Sequence, residues 1–253
     1  MCAIMHKRAF PLTVPGRLIR RALCLRVCPL CREASGAEGI CAFCDAALEA
    51  ASLCHPRFRV GMGVGVGANP DAAVSWLECA AVFSYEYDAV RRLLFYLKQN
   101  ADACAFHEAA LYLARAVTSF GTDEKTLYVN VPRSRAGKRR YGFDQGALLA
   151  SAAARLSENA VFAPRLIRRR FGRPQKSLTA AERAENQRGR FSVRRPLLCP
   201  FPEPKRIILI DDVITTGASV LACANALRTL YPNAHIVAAA LAHTPAPGKT
   251  TKE

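Results

Sequence analysis

The chain has 253 residues, 51% of them hydrophobic, and a formal net charge of +16 at pH 7 with a pI near 9.8. This length suits one α/β domain with a small appendage, and the charge favours polyanionic partners such as nucleic acid, anionic membranes or phosphorylated small molecules. No apolar run reaches the roughly 18–20 residues that span a bilayer, and prolines interrupt the basic N-terminus, so neither a membrane span nor a secretory signal is expected. The 11 cysteines therefore indicate metal ligation in a reducing cytoplasm rather than a disulfide framework.

Two Cys-x-x-Cys turns near the N-terminus are the first candidate site. Cys28 and Cys31 form one turn, and Cys41 and Cys44 form the other after nine intervening residues. Two such turns aim four thiolates at one point, which is the pattern of a structural zinc knuckle. We expect zinc here, with iron in the same four-thiolate site or free thiols as alternatives. Because cysteine supplies all four ligands, no open position for a catalytic metal is expected.

A glycine-rich stretch at 60–70 follows the knuckle. It superficially resembles a dinucleotide-binding loop, but no clear strand precedes it and no helix follows it directly, so a linker is the better interpretation. The sequence thus divides into an N-terminal segment at 1–55 with the knuckle at 28–44, a linker at 56–78, an α/β domain at 79–245 and a tail at 246–253.

Helices and strands alternate through the next part of the chain. Periodicity predicts strands at 80–85 and 126–131, and helices at 88–97, 104–117 and from 145 to about 156. A basic loop is predicted after the second of these strands. It could bind pyrophosphate or another polyanion, and a solvated loop is an equal alternative. Its cations are Arg133, Arg135, Lys138, Arg139 and Arg140.

A second basic stretch at 166–173 leads into a polar connector that reaches Phe191. Connectors of this length in compact domains are often lids or binding loops, which we expect here. The last strand is predicted at 235–241.

The most informative stretch, at 205–219, joins an apolar run, an acid pair and a turn rich in hydroxyls. The run at 207–210 is apolar on both faces, as in a central parallel strand, and Asp211 and Asp212 are expected where it ends. Apolar residues at helical spacing begin after the turn. The turn consists of Thr215, Thr216, Gly217, Ala218 and Ser219.

This order of elements suggests a ligand. Backbone N–H groups at the start of a helix, together with the hydroxyls, form a cradle for phosphate, and Gly217 allows a close backbone approach. Two neighbouring carboxylates can accept hydrogen bonds from the vicinal hydroxyls of a sugar. Phosphate on one side and a diol on the other describe a ribose 5-phosphate pocket at the carboxyl ends of the strands.

The stretch resembles the fingerprint of the type I phosphoribosyltransferases, an apolar run followed by Asp-Asp, two residues and Thr-Thr-Gly-x-Thr/Ser. The resemblance implies a Rossmann-like, mainly parallel sheet with helices on both faces. It also implies that the turn holds the 5-phosphate of phosphoribosyl pyrophosphate (PRPP) and that Asp211 and Asp212 hold its ribose hydroxyls. Mg²⁺ would accompany PRPP, and pentosyl transfer to an acceptor would be the reaction.

A cysteine knuckle before such a domain is similar to the ComF family, which is associated with DNA uptake in natural competence. The likeness extends over nearly the whole chain, from Cys28 to Pro245. Besides the motifs above, its landmarks are the segments 91–98, 131–145 and 174–191. The chain departs from the family pattern at Asp144, where Asn is usual, and at 129–132, where Pro-Val-Pro is common.

Two functions follow from the resemblance and the charge. The first is a cytoplasmic phosphoribosyltransferase in DNA uptake or nucleotide metabolism, with an acceptor and a general base that the sequence does not identify. The alternative is a non-catalytic competence factor that binds single-stranded DNA and works with the competence helicase machinery. Tyr141, Phe143 and Phe171 would then be stacking platforms, or else core residues. Cys54 and Cys79 are the remaining candidates for a second metal site, and one site is the preferred interpretation.

Overall fold

The computed structural model describes residues 27–33, 35, 39–54, 56–61, 76–121, 124–169, 191–194 and 203–244. Helices and strands alternate through these residues. The strands are β1 (Arg57–Gly61), β2 (Trp76–Ser84), β3 (Thr126–Asn130), β4 (Ala160–Phe162), β5 (Ile167–Arg169), β6 (Phe191–Val193), β7 (Arg206–Ile214) and β8 (His235–His243). The helices are α1 (Ala42–Glu49), α2 (Asp88–Gln99), α3 (Ala103–Thr118), α4 (Arg135–Tyr141), α5 (Gln145–Arg155) and α6 (Ala218–Arg228).

The main sheet has six strands in the order β1-β2-β8-β7-β3-β4. β1 is antiparallel to β2, whereas the other neighbouring strands of this sheet are parallel. β5 and β6 pair with each other in a separate antiparallel sheet. The expected α/β class with a mainly parallel sheet is confirmed, and the narrower phosphoribosyltransferase fold stays a prediction.

Alternating side chains of the sheet enter two hydrophobic cores, one on each face. Ile208 and Ile210 of β7 belong to the core that the apolar faces of α2, α3 and α5 complete. Ile207 and Leu209 belong to the other core, together with the buried side of α6. Helices therefore cover both faces, which explains why the apolar run of β7 is continuous rather than alternating.

The position of β7 sets the position of the site. It lies between β8 and β3, with Leu209 opposite Ala238 on one side and Val129 on the other. The carboxyl ends of β3, β7 and β8 consequently meet at one edge of the sheet. In open α/β sheets this edge is where ligands bind.

Two sequence predictions about this region are wrong in detail. The strand does not end at the acid pair, because β7 continues through Asp211 and Asp212 to Ile214. The predicted basic loop contains a short helix, α4, whose N-cap Ser134 accepts a hydrogen bond from Gly137 N at 3.1 Å. The helix ends at Gly142, which has a φ of +76°.

The predicted linker at 56–78 also contains regular structure. β1 and the first residues of β2 lie within it, and both belong to the main sheet. β1 was missed because an edge strand exposed on one side, with burial at Val60 alone, gives only a weak alternating pattern.

Several predictions lie outside the described residues. They are most of the glycine-rich stretch, the connector between β5 and β6, Phe171 and the tail. Among the helices of the described part, none is long and apolar enough to cross a membrane.

Candidate functional site

The knuckle cysteines converge as the sequence predicted. The thiol sulfurs of Cys28, Cys31, Cys41 and Cys44 all lie within 4.8 Å of one another. Sγ of Cys31 and Sγ of Cys41 are 3.7 Å apart, close to the roughly 3.8 Å that a tetrahedron with Zn–S bonds of about 2.3 Å requires. The donor set and its size therefore fit a structural zinc ion held by these four residues.

Backbone hydrogen bonds favour the thiolate form of Cys28. Burial opposes ionisation of Cys28, but N–H groups of Cys41, Cys31 and Leu30 point at its sulfur, and the net effect lowers its pKa to about 7. Burial raises the pKa of Cys44, so this ligand depends on a metal cation for deprotonation.

The turn at 215–219 joins β7 to α6. Gly217 has a φ of +73°, and a Cβ added there would lie 2.4 Å from Cβ of Val60, so both the backbone and the packing require glycine. The sequence analysis expected glycine here so that a ligand could approach the backbone. In the structure the group that comes close to Gly217 is the side chain of Val60 in β1. Thr215 and Thr216 are exposed and Ser219 is half-buried, which leaves hydroxyls accessible at the N-terminus of α6.

Asp211 and Asp212 are near the end of β7, and two residues separate them from this turn. Asp212 N donates a hydrogen bond to Oδ1 of Asp211 at 2.9 Å, and Val213 N donates to Oδ1 of Asp212 at 2.9 Å. The other oxygen of Asp212, Oδ2, lies 3.2 Å from Nζ of Lys98 and 3.3 Å from Nε2 of Gln145. Asp212 is therefore surrounded by donors.

Asp211 has a different environment. Burial of its carboxyl group, followed by the charge and the side-chain hydrogen bond of Asp212, raises its pKa well above the ordinary range. The backbone N–H of Asp212 and the charge of Lys98 offset this increase only in part. Asp211 thus binds a proton more tightly than an ordinary carboxyl group does. Such a pair can offer both a donor and an acceptor, or two acceptors once a ligand or cation displaces the proton.

The basic segment reaches the same edge of the sheet from β3. Arg133 follows the end of β3, Arg135 begins α4, and Lys138, Arg139 and Arg140 expose their side chains. Lys138 Nζ is 2.7 Å from Oδ2 of Asp144, which orients α4 against the start of α5. Most of the predicted cations are thus available at the surface.

Two of the predicted stacking aromatics, Tyr141 and Phe143, already have intramolecular partners. The guanidinium groups of Arg133 and Arg140 lie 4.3 and 5.3 Å from the centroid of the Tyr141 ring. Phe143 packs edge-on against Phe106 with ring centroids 6.4 Å apart. Phe143 is therefore a packing residue, and Tyr141 orders two arginines.

Sequence reasoning missed the contacts of Lys98 and Gln145 with Asp212. Both residues lay in segments that the ComF likeness marked, at the end of α2 and the start of α5. Neither spacing nor composition indicated that separate helices would bring them to the same carboxylate.

The candidate second metal site is not formed by the residues that were considered for it. Cys79 is buried in β2 and its thiol donates to the carbonyl oxygen of Leu77 at 3.6 Å, whereas Cys54 is exposed. In the described part of the chain, the four knuckle cysteines are the one group that could hold a metal ion.

The sequence was also compared with protein-family models and with curated proteins. Neither the protein-family models nor the curated proteins that were searched match this chain.

Proposed function

We propose that this protein binds PRPP or a related ribose 5-phosphate ligand at the carboxyl edge of its central strand. The observation that carries the proposal is the sequence of elements at that edge: a paired carboxylate, a turn with glycine at positive φ, and the N-terminus of α6. The order matches what a phosphate and a vicinal diol require, and the fingerprint of the type I phosphoribosyltransferases has the same order.

In this proposal each part of the site has one role. The N–H groups and hydroxyls of 215–219 hold the 5-phosphate, and Asp211 and Asp212 accept hydrogen bonds from the ribose hydroxyls. The cations of α4, which follows the carboxyl end of β3, would neutralise the pyrophosphate group. Mg²⁺, when it binds with PRPP, would share that neutralisation.

The reaction that these roles favour is displacement of pyrophosphate by a nitrogen nucleophile, as in a ComF-type phosphoribosyltransferase. No general base is assigned to this reaction. The cellular role that the ComF likeness suggests is DNA uptake or nucleotide metabolism in the cytoplasm.

Binding of single-stranded DNA is the second candidate. The exposed cations of α4 and the net charge of +16 favour it. The packing of Phe143 against Phe106 weakens it, since base stacking requires accessible rings.

Calorimetric titration of PRPP with Mg²⁺ into the purified protein tests the proposal. We expect saturable binding by the wild type and loss of at least about tenfold in affinity in the double variant Asp211→Asn/Asp212→Asn, which corresponds to about 1.4 kcal/mol or more. Glu86→Gln, which neutralises an exposed acid just before α2, is the matched control and should bind like the wild type.

Absence of binding by the wild type would refute the phosphoribosyl proposal. Equal binding by the wild type and the double variant would show that PRPP is bound elsewhere, for example by α4 alone.

A further inference from the structure

Two helices that are distant in sequence each direct a donor at the same carboxylate oxygen. Lys98 is in the last turn of α2 and Gln145 is the first residue of α5. Their terminal nitrogens lie 3.2 and 3.3 Å from Oδ2 of Asp212. Because Oδ1 accepts from Val213 N, donors act on both oxygens and fix the carboxylate plane.

Burial distinguishes this arrangement from an ordinary surface ion pair. Gln145 is 3% exposed, and the side chains of Asp212 and Lys98 are 21% and 37% exposed. A primary amide that is buried to this extent is retained where its hydrogen bond is needed, since an unpaired one would be costly. Surface pairs, in contrast, are screened and contribute little.

The strand geometry explains why such donors are needed. Successive side chains of a strand point to opposite faces, so Asp211 and Asp212 would not act on one ligand by default. In this protein their carboxyl groups nevertheless interact, and Asp212 N donates to Asp211. The contacts of Lys98 and Gln145 with Asp212 hold its carboxyl group in the position where it interacts with Asp211.

We propose that Lys98 and Gln145 are positioning residues that hold Asp212 as the fixed acceptor for a ribose hydroxyl of the bound ligand. This inference rests on the proposed function, because it assigns these residues to the phosphoribosyl site. Lys98 has an additional electrostatic effect on the neighbouring acid, and this effect gives the test a readout that packing alone would not change.

Among the residues that the structure describes, the charged groups that act on Asp211 are Asp212 on its own strand and Lys98 on α2. α5 contributes the neutral amide of Gln145, and β8 pairs Asp211 with Ala240. Lys98 is thus the cation that opposes the effect of burial and of Asp212. Its removal should raise the pKa of Asp211 further, because less positive charge then favours the ionised form.

The experiment compares Lys98→Met, Lys98→Arg and Gln145→Leu with the wild type. PRPP with Mg²⁺ is titrated calorimetrically between pH 6 and 9, and the carboxyl carbon of Asp211 is followed by NMR in the ligand-free protein. We expect Lys98→Met to lose about tenfold in affinity at pH 7 and to shift the Asp211 titration to higher pH. Lys98→Arg should retain affinity within about threefold, and Gln145→Leu should lose about fivefold, consistent with the usual net value of a hydrogen bond.

The two arms separate failure of the inference from failure of the function. If the wild type binds PRPP while Lys98→Met and Gln145→Leu bind equally well with an unchanged Asp211 titration, the positioning role is refuted and the function stands. If the wild type does not bind, the function and the inference fail together. Circular dichroism of each variant detects a folding defect, and Lys98→Arg shows whether a cation at this position is sufficient. If Lys98→Met does not fold, the affinity of Gln145→Leu decides the test.

Discussion

At the scale of single residues, Asp211 and Asp212 show how neighbours in sequence can differ in chemistry. Asp212 receives an ion pair from α2 and a hydrogen bond from α5, whereas burial dominates the environment of Asp211 and raises its pKa. A buried acid with a raised pKa costs the folded protein stability whenever it is ionised. Such a cost is common at ligand sites, where stability is given up for function.

A stability prediction follows from the raised pKa of Asp211. The folded state binds a proton more tightly than the unfolded state, so stability falls as pH rises from about 3.9 through the raised pKa. The amide of Asp211→Asn does not ionise, so this variant does not lose stability as the pH rises through that range. We expect its melting temperature to exceed that of the wild type by roughly 2–4 °C at pH 8, or about 1 kcal/mol, with the difference disappearing near pH 4.

Calorimetric melting curves at pH 4, 6 and 8 would check this expectation. Glu86→Gln serves again as the control for loss of one negative charge, and it should melt like the wild type at each pH. A variant at Asp211 that melts lower at pH 8 would contradict the assigned environment.

Much of this site could be predicted at the residue scale, and the rest could not, for a physical reason. The acid pair and the turn lie close together in the sequence, so their order alone predicted a candidate site for a phosphate and a diol. Lys98 and Gln145 come from separate helices, and their approach to Asp212 depends on tertiary packing that no local pattern encodes.

At the scale of elements, α4 is the clearest difference between expectation and structure. The segment was predicted to be a basic loop at the carboxyl end of a strand, and Gly137 within it disfavours helix. The caps were nevertheless present in the sequence: Ser134 begins the helix, and Gly142 supplies the left-handed residue that ends it. Recognition of both caps would have predicted α4.

The helical form of α4 makes its interaction with polyanions testable. If single-stranded DNA binds there, each phosphate contact contributes about −0.7 to the slope of log affinity against log salt. We expect Arg139→Ala, which removes an exposed cation, to reduce the steepness of that slope by about 0.7. Fluorescence anisotropy with a labelled oligo-dT at several salt concentrations measures it.

Arg155→Ala is the matched control, since it removes an exposed cation at the end of α5. It should leave the slope unchanged. Equal effects of both substitutions would mean that the net charge of the whole protein, rather than α4, attracts the DNA.

At the scale of the whole molecule, the knuckle is joined to the α/β core. Cys28, Cys44 and Leu48 belong to the same hydrophobic cluster as Phe83 and Tyr112. Polar contacts reinforce this junction. The guanidinium nitrogens of Arg115 in α3 lie 2.6 and 2.7 Å from the two carboxylate oxygens of Glu49 in α1. The backbone N–H of Ile40 donates a hydrogen bond to Glu108 at 3.0 Å. The hydroxyl of Tyr112 donates a hydrogen bond to Asp45.

The sequence predicted the knuckle and the core separately, because each has its own local pattern. The junction between them was not predictable, since it is made by side chains such as Leu48 and Tyr112 whose spacing fits an ordinary helix core. Backbone contacts add to it, including Leu53 N to the carbonyl oxygen of Val82 at 2.8 Å. The division of the chain into an N-terminal segment and a later domain stays a prediction.

This junction predicts how the protein would respond if the knuckle could not hold a metal ion. A small finger gains roughly 10–16 kcal/mol from zinc, and here part of that energy supports a core that the α/β domain shares. Cys44→Ser should therefore lose the zinc and lower the melting temperature of the whole protein by about 10 °C or more in a single transition. Cys54→Ser, at an exposed cysteine outside the cluster, should keep one zinc per chain and the wild-type melting temperature. Elemental analysis and calorimetry of both variants give the answer: a separate, early transition in Cys44→Ser would show that the knuckle unfolds independently of the core.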